Sequence, residues 1–455
     1  MVNIVCIGAG YVGSVTAAAF SNVGHFVTVI DLDPQKLEAI QSRMSPIFEP
    51  GLEALIEQAD HLLNASASYQ PVRQANAVFI CVGTPSLPDA SADMSYVKAA
   101  ARSIGENLNP SSFTVIVNKS TVPVGTTDLV SMIIEEASGL KSNQHFAVVS
   151  NPEFLREGYA LEDVFYPDRI VIGTKNEKAK MILRELYGPF IERKYEGRIY
   201  ELIPNKTPRR EKITKYMETD EKSAEMIKYA SNAFLAVKIS YINEIARLSE
   251  ALGSNIEDIA KGMGLDQRIG EKFLQVSSGW SGSCFPKDTS ELLLTSHKYG
   301  RELKIVKAAT ESNHDMLLYC VQKVQRKLKC LNGKTLSILG LTFKPDTDDV
   351  RQTQALTVIS KLLEFGAHVK VHDPKGMDGF KHIHKQLDIH YCRTAEEAAV
   401  QSSAIILLTH WTQYRDLDWR NMYKTMVYPY ILDTRNFLIN DQLCEIGFDY
   451  EGIGK

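Results

Sequence analysis

Charge of one sign is scarce. The 51 basic and 55 acidic residues leave a formal net charge of −4, so no basic field invites nucleic acid or an anionic membrane surface. Long apolar runs are missing as well: stretches such as Ala404-Ile405-Ile406-Leu407-Leu408 are strand-sized, far short of the ~18 residues a membrane span needs. No basic leader precedes the first apolar run at Val2, so no secretory signal is expected. Cysteine is sparse too. The seven are scattered, odd in number and without a C-x-x-C pair, which excludes a dense disulfide framework and gives no zinc-site spacing. These absences point to a cytoplasmic protein with no metal, no membrane and no nucleic-acid partner.

What is present is ordinary globular composition, 44% hydrophobic and 23% charged, in a chain long enough for about three domains. The first half alternates strand and helix signals. Strand candidates lie at 2–7, 26–30, 77–82, 114–118, 146–150 and 170–173, with helical patterns between most of them. Buried strands that read as continuous apolar runs separated by helices argue for a parallel sheet covered on both faces. From Ser223 to Leu252 there is no Gly or Pro, and apolar residues recur at helical spacing. A helix of ~30 residues spans about 45 Å, so this one is expected to bridge domains or to form a subunit contact. Alternation returns at Lys334, with strands at 335–340, 368–372 and 404–409 and a helix at 353–365. The expected fold is therefore α/β, with two Rossmann-like parallel-sheet domains joined by a long helix and a central helical domain. The divisions fall at 1–205, 206–331 and 332–455. The basic segment 205–222, with Lys206, Arg209, Arg210, Lys212 and Lys215 against Glu211, reads as a solvated linker.

Gly8-Ala9-Gly10-Tyr11-Val12-Gly13 follows the first strand, opens a helix, and has Asp31 at the end of the next strand. In such a loop Gly8 makes the turn, Gly10 admits a pyrophosphate close to backbone, and Gly13 lets helix and strand pack closely. The helix N-terminus offers free N–H groups to the phosphates. Asp31 can accept hydrogen bonds from a ribose 2′-OH and would repel a 2′-phosphate, so NAD is favoured over NADP.

A second signal is Gly282-Ser283-Cys284-Phe285-Pro286-Lys287-Asp288. Proline suits a first helical turn, which places Cys284 at a helix N-terminus, where the dipole favours thiolate. Asp288 lies one turn further on the same face. On the long helix Glu225, Lys228 and Asn232 form a polar stripe, either a solvated face or a lysine held near a reacting hydroxyl, where it can stabilise an alkoxide. In Asn151-Pro152-Glu153-Phe154-Leu155-Arg156-Glu157, Asn151 can cap and Pro152 can open a helical turn, putting Glu153 and Glu157 on one face; a bare surface turn is the alternative.

Taken in order, GAGYVG at 8–13, VGTP at 82–85, KSTVPVGT at 119–126, NPEFLREG at 151–158, Glu225 through Asn232 to Asn243-Glu244, SGSCFPKD at 281–288, GLTFKPDTDDVR at 340–351 and DTRN at 433–436 resemble the UDP-glucose 6-dehydrogenases, within the wider nucleotide-sugar 6-dehydrogenase family. The resemblance covers essentially the whole chain. It implies four-electron oxidation of the sugar C6 alcohol of UDP-glucose to a carboxylate with two NAD+. Cys284 is the implied nucleophile, passing through a thiohemiacetal and a thioester, and Glu153 the general base of hydrolysis. Lys228 aids the first step with a water oriented by Thr121, Asn232 and Asp288, and either Lys228 or that water takes the first proton. For the cofactor the resemblance adds Tyr11, Val12, Lys36, Thr84, Thr121, Glu157 and Arg351 to the glycine loop and Asp31. For the substrate it implies Glu153, Phe154, Leu155, Arg156, Glu157, Lys228, Asn232, Phe273, Gly282, Phe343, Lys344 and Arg435, with Arg268 reaching a neighbouring subunit's site. At least a homodimer follows.

Two departures stand out: Ser281 occupies a position usually glycine, and the basic stretch before Ser223 has no match. The competing readings are a sister enzyme for GDP-mannose or a UDP-N-acetylhexosamine, a sugar-nucleotide sensor without turnover, and a single-hydride 3-hydroxyacid dehydrogenase. Neither of the last two needs the Cys284 thiol.

Overall fold

A computed structural model describes residues 1–195, 199–203 and 213–455. The chain divides into two compact units, Met1–Ala230 and Ser231–Lys455.

The first unit is built on an eight-stranded sheet of β1 (Asn3–Ile7), β2 (Phe26–Ile30), β3 (Leu63–Ser66), β4 (Ala77–Ile80), β5 (Thr114–Asn118), β6 (Phe146–Ser150), β7 (Arg169–Gly173) and β8 (Lys215–Thr219). Their order is β3-β2-β1-β4-β5-β6-β7-β8, whose first six strands have the doubly wound nucleotide-binding arrangement. The centre is buried throughout: every residue of β4, β5 and β6 is buried, as a sheet covered on both faces requires. One face packs on a cluster around Phe20, Phe79, Phe165 and Phe190, the other on Val97, Ile104, Val130 and Ile134.

Two expectations need correction here. The sheet is not wholly parallel, because β7 meets β6 antiparallel, at Ser150 and Gly173. Directly after β6, Asn151 Nδ2 donates to the Val171 carbonyl of β7 at 2.9 Å. Between β6 and β7 the chain forms one short helix, Ala160–Phe165, not a crossover helix of the length that usually returns a chain for parallel pairing. The basic segment is also not all linker. Lys215 opens β8, which pairs in parallel with β7 and is partly exposed along its length as the sheet's edge. Lys206, Arg209, Arg210, Glu211 and Lys212 lie outside the described residues.

The second unit carries a six-stranded sheet of β9 (Thr335–Leu339), β10 (His368–His372), β11 (Ile389–Tyr391), β12 (Ala404–Leu407), β13 (Tyr430–Asp433) and β14 (Asp449–Glu451), ordered β11-β10-β9-β12-β13-β14. Every pairing is parallel. Before it come helices Ile256–Gly264, Phe285–Lys298 and Lys304–Leu328. The long helix spans Glu221–Leu252, and the boundary between units falls within it. No helix among the described residues is long and apolar enough to cross a membrane.

Candidate active site

The candidate residues divide between the two units. In the first, the turn after β1 is as tight as its glycines allow. Gly8 sits at φ +105°, where a Cβ would lie 2.8 Å from the Cys81 carbonyl oxygen, and a Cβ on Gly13 would lie 1.7 Å from that of Gly8. Gly10 is the opposite case: a Cβ there meets nothing within 4 Å. It is the N-cap of helix Tyr11–Asn22 and makes no side-chain cap of its own, so the start of the helix faces that open space. Asp31 accepts from Ala9 N at 2.5 Å and from Asp33 N at 2.9 Å, fixing the loop while remaining part-exposed. Tyr11 is anchored through its hydroxyl to the Phe48 carbonyl, Val12 packs on the core, and Lys36 is part-exposed on helix Pro34–Gln41. Thr84 Oγ1 donates to the Thr121 carbonyl at 2.8 Å, so two of the sequence candidates meet. The cradle suits a dinucleotide pyrophosphate beside a ribose-accepting carboxylate.

Segment 151–156 is not the helical turn its sequence suggests. Asn151 does not cap, because its amide is committed elsewhere: Oδ1 accepts from Lys119 Nζ at 3.0 Å and from the Tyr187 hydroxyl at 2.5 Å. Glu153 projects from this irregular stretch into a buried ion pair with Lys228, 2.8 Å apart with side chains 9% and 6% exposed, and also accepts from Leu155 N at 2.5 Å. Burial alone would lift its carboxyl. The Lys228 charge and hydrogen bond, the Leu155 amide and the Lys119 charge outweigh burial and hold it below the ordinary range. The Phe154 ring lies 5.4 Å from Lys228 Nζ and 3.8 Å from the Arg169 guanidinium. Arg156 turns to Asp163, with bonds of 2.8 and 2.9 Å, and Glu157 is part-buried beyond it.

Glu225 is not a solvated residue. Its carboxylate accepts from Gly125 N at 2.6 Å and from both N and Oγ1 of Thr127 at 2.8 and 2.7 Å, capping helix Thr126–Ser138 just after the loop that carries Thr121. Burial raises its pKa despite these donors. Glu49 does similar work on the other loop, accepting from Gly158 N and Ala160 N at 2.6 and 2.7 Å. Sequence reasoning missed Glu49, Lys119 and Arg169 as site supports. Only Lys119 carries a local signal, a cation directly after an all-buried strand.

In the second unit Cys284 is exposed and is the N-cap of helix Phe285–Lys298, with the Ser283 hydroxyl 3.8 Å from its sulfur. Asp288 N donates to the Cys284 carbonyl at 2.9 Å, one turn on. The Asp288 carboxylate is 1% exposed and accepts from Asn232 Nδ2 at 2.6 Å and Lys287 Nζ at 2.7 Å. Gly282 sits at φ +84° under the Phe343 ring, where a Cβ would be 2.7 Å from it, and Lys344 Nζ is 5.3 Å from that ring's centre. The Ser281 hydroxyl is taken up by Gln354, so the loop accommodates it. Phe273 rests near Phe285, ring centres 6.4 Å apart. Arg435 Nε donates to the Leu408 carbonyl at 2.8 Å, and burial brings it down to about 10. Arg351 is paired with Asp349 at 2.8 Å. Arg268 stands apart from the others, exposed and folded back on Asp266 at 2.6 Å.

Three domain models of one family match in chain order: the UDP-glucose/GDP-mannose dehydrogenase family's NAD binding domain over residues 2–191, its central domain over 222–315 and its UDP binding domain over 337–440. The chain belongs to the UDP-glucose/GDP-mannose dehydrogenase family. It is 41% identical to the UDP-glucose 6-dehydrogenase YwqF of Bacillus subtilis over 100% of this chain and 98% of that protein. It is also 41% identical to the UDP-glucose 6-dehydrogenase of Rhizobium meliloti, covering 99% of each. Among solved structures it matches a UDP-glucose dehydrogenase from the hyperthermophilic archaeon Pyrobaculum islandicum at TM-score 0.87 and 37% identity, over 100% of this chain and 98% of that one. As a UDP-glucose/GDP-mannose dehydrogenase family member, this protein is an NAD-dependent oxidoreductase, and its dinucleotide cradle lies in the family's NAD-binding domain.

Proposed function

We propose that this dehydrogenase oxidises UDP-glucose to UDP-glucuronate in two successive two-electron steps at one site. The observation that carries the two-step reading is an exposed thiol at a helix N-terminus, one turn before a buried carboxylate held by Asn232. A dehydrogenase that stops at a carbonyl has no use for that thiol, and neither does a sensor. The substrate follows from full-length relatives named UDP-glucose 6-dehydrogenases; GDP-mannose and UDP-N-acetylhexosamines are the sister substrates.

The glycine loop, Asp31, Lys36, Thr84 and Arg351 would hold NAD+, which would supply the hydride acceptor for each oxidation. Lys228 stabilises the C6 alkoxide as it develops, beside a water oriented by Thr121, Asn232 and Asp288. The Cys284 thiolate adds to the resulting aldehyde, and the thiohemiacetal, on losing its hydrogen from C6 as hydride, becomes a thioester. Glu153 removes a proton from the water that attacks the thioester carbonyl, releasing carboxylate and free Cys284. Phe154, Leu155, Arg156, Glu157, Phe273, Gly282, Phe343, Lys344 and Arg435 bind the sugar nucleotide.

The division into domains at 1–205, 206–331 and 332–455 and a cytoplasmic location belong to the same reading. So does a homodimer, in which Arg268 serves the neighbouring subunit. The long helix exposes Phe234, Tyr241 and Leu248 at intervals of seven residues, an apolar stripe of the kind that a second helix covers. Light scattering that returned a single-chain mass would remove the dimer.

The reaction is tested by NADH formed per limiting UDP-glucose. Two per sugar in the wild type, with net carboxylate formation lost in Cys284→Ala, is expected. One per sugar in the wild type refutes the thioester route, and none with UDP-glucose but two with GDP-mannose or a UDP-N-acetylhexosamine reassigns the substrate.

A further inference from the structure

Lys119 directly follows β5 and is 9% exposed. Its Nζ donates to Asn151 Oδ1 at 3.0 Å and to the Tyr187 hydroxyl at 3.3 Å, and lies 5.6 Å from the centre of the Tyr187 ring. These partners are neutral. An ammonium in a dry interior is costly when it is not paired at contact, and burial brings Lys119 from its ordinary 10.5 down to about 8. The charged and titratable groups that face it are Cys81, Glu153 and Cys6, which favour its charge, and Lys228, which opposes it. A methionine would fill the same space at lower cost, so packing alone does not account for a lysine.

Asn151 gives it a purpose. This residue stands two before Glu153, with Pro152 between, and is tied by Nδ2 to β7. By holding Asn151, Lys119 helps to fix the backbone from which Glu153 projects, and its charge is one of those that keep Glu153 ionised. The reaction proposed above makes two demands on the Glu153–Lys228 pair. Lys228 supports the alkoxide in the first oxidation, and Glu153 must act as a base at hydrolysis. If Lys228 turned to the substrate oxygen, Glu153 would be left in a buried site that drives a carboxyl upward. A protonated carboxyl cannot take a proton from water.

We propose that Lys119 is a positioning residue that keeps Glu153 placed and ionised while Lys228 is engaged with the substrate. This rests on the assignment of Glu153 as the hydrolytic base. The test is the pH profile of kcat for Lys119→Met in the full-length enzyme. The acid limb is expected to move up by about one pH unit, so that kcat on that limb falls about tenfold and recovers towards alkaline pH. KM values for UDP-glucose and NAD should stay within about twofold.

Tm should not fall. A folded value below the ordinary one means that the unfolded chain binds more protons between about 8 and 10.5. Stability from this group is thus present above 10.5, is lost as pH falls through 8, and at neutral pH the burial cost is borne in full. Lys119→Gln, which keeps a donor for Asn151 but no charge, carries the same acid-limb criterion should the methionine variant fail to fold. An unmoved acid limb overturns the proposal, as does a uniform loss of kcat at all pH with a lowered Tm. Glu153→Gln separates the two ideas: if it retains hydrolysis with the wild-type acid limb, the assignment of Glu153 fails whatever Lys119 does.

Discussion

The first six strands of the larger sheet and the six strands of the smaller one share one order, and the loops after their first strands differ. In each, a glycine turn follows the first strand, and an aspartate stands at the end of its neighbour: Asp31 after β2 and Asp373 after β10. In the first unit Asp31 accepts two backbone donors and stays part-exposed, beside a glycine whose missing side chain leaves open space. In the second, Asp373 is 2% exposed. One of its oxygens accepts from Leu341 N, Thr342 N and Oγ1, and Trp411 Nε1 at 2.7–3.1 Å, the other from Lys375 N and Gly376 N at 2.9 and 2.7 Å. A carboxylate has about four lone-pair sites, so Asp373 has nothing left for a ribose. Gly340 is hemmed in as well, since a Cβ there would lie 2.4 Å from Thr409. The same fold gives an open dinucleotide loop in one unit and a loop sealed by its own acid in the other.

The largest expected effect breaks the open loop. Gly13→Ala forces a methyl against the Gly8 carbonyl, and NAD affinity should fall by roughly 100-fold or more by calorimetry. Gly340→Ala is also crowded, with its Cβ 2.4 Å from Thr409, and should lower Tm, yet leave NAD affinity unchanged. Loss of NAD binding in Gly340→Ala would mean that the two loops are not functionally separate.

Exchanging the aspartates sharpens the contrast. Asp31→Asn removes a charge-assisted acceptor, so NAD affinity should drop about tenfold and discrimination against NADP should narrow. Asp373→Asn leaves buried donors poorly paired and should cost about 3 kcal/mol in denaturant unfolding with NAD affinity kept. The reverse pattern would refute the division of labour.

The smallest effect concerns acid. Burial, with Arg435 and Arg415 nearby, brings His410 from 6.5 down to about 3, and burial also lowers His372 and His384 in the same unit. In the first unit burial lowers His25. For such groups the unfolded state binds the extra proton, so stability is full above pH 6.5 and declines as pH falls from 6.5 through the folded value. Tm should decline over this range in the wild type and less steeply in His410→Phe. Equal slopes would exclude His410 as a contributor.

The N-terminal loop was legible because its parts are local: three glycines, a helix start and an aspartate one strand away. Cys284 was legible for the same reason, since Pro286 and Asp288 announce the helix it caps. The stretch 151–157 misled because what decides its course is remote. Asn151 has the composition of a cap, but Lys119, Tyr187 and Val171 claim it from three other elements. Nothing near Glu49 signals amides more than 100 residues away. β8 escaped notice because an edge strand can be polar, and its pairing with β7 is a property of the sheet rather than of Lys215–Thr219.

The cap that Glu225 places on helix Thr126–Ser138 makes the interval from 225 to 228 a phase setting. With the carboxylate fixed to Gly125 and Thr127, each residue added between it and Lys228 would turn the amine by about 100° around the helix axis. Lys228 would then point away from Glu153 with its chemistry intact. Met226 and Ile227 can therefore be exchanged for other helix formers more readily than either can be duplicated or deleted. In this stretch the number of residues is under tighter constraint than their identity.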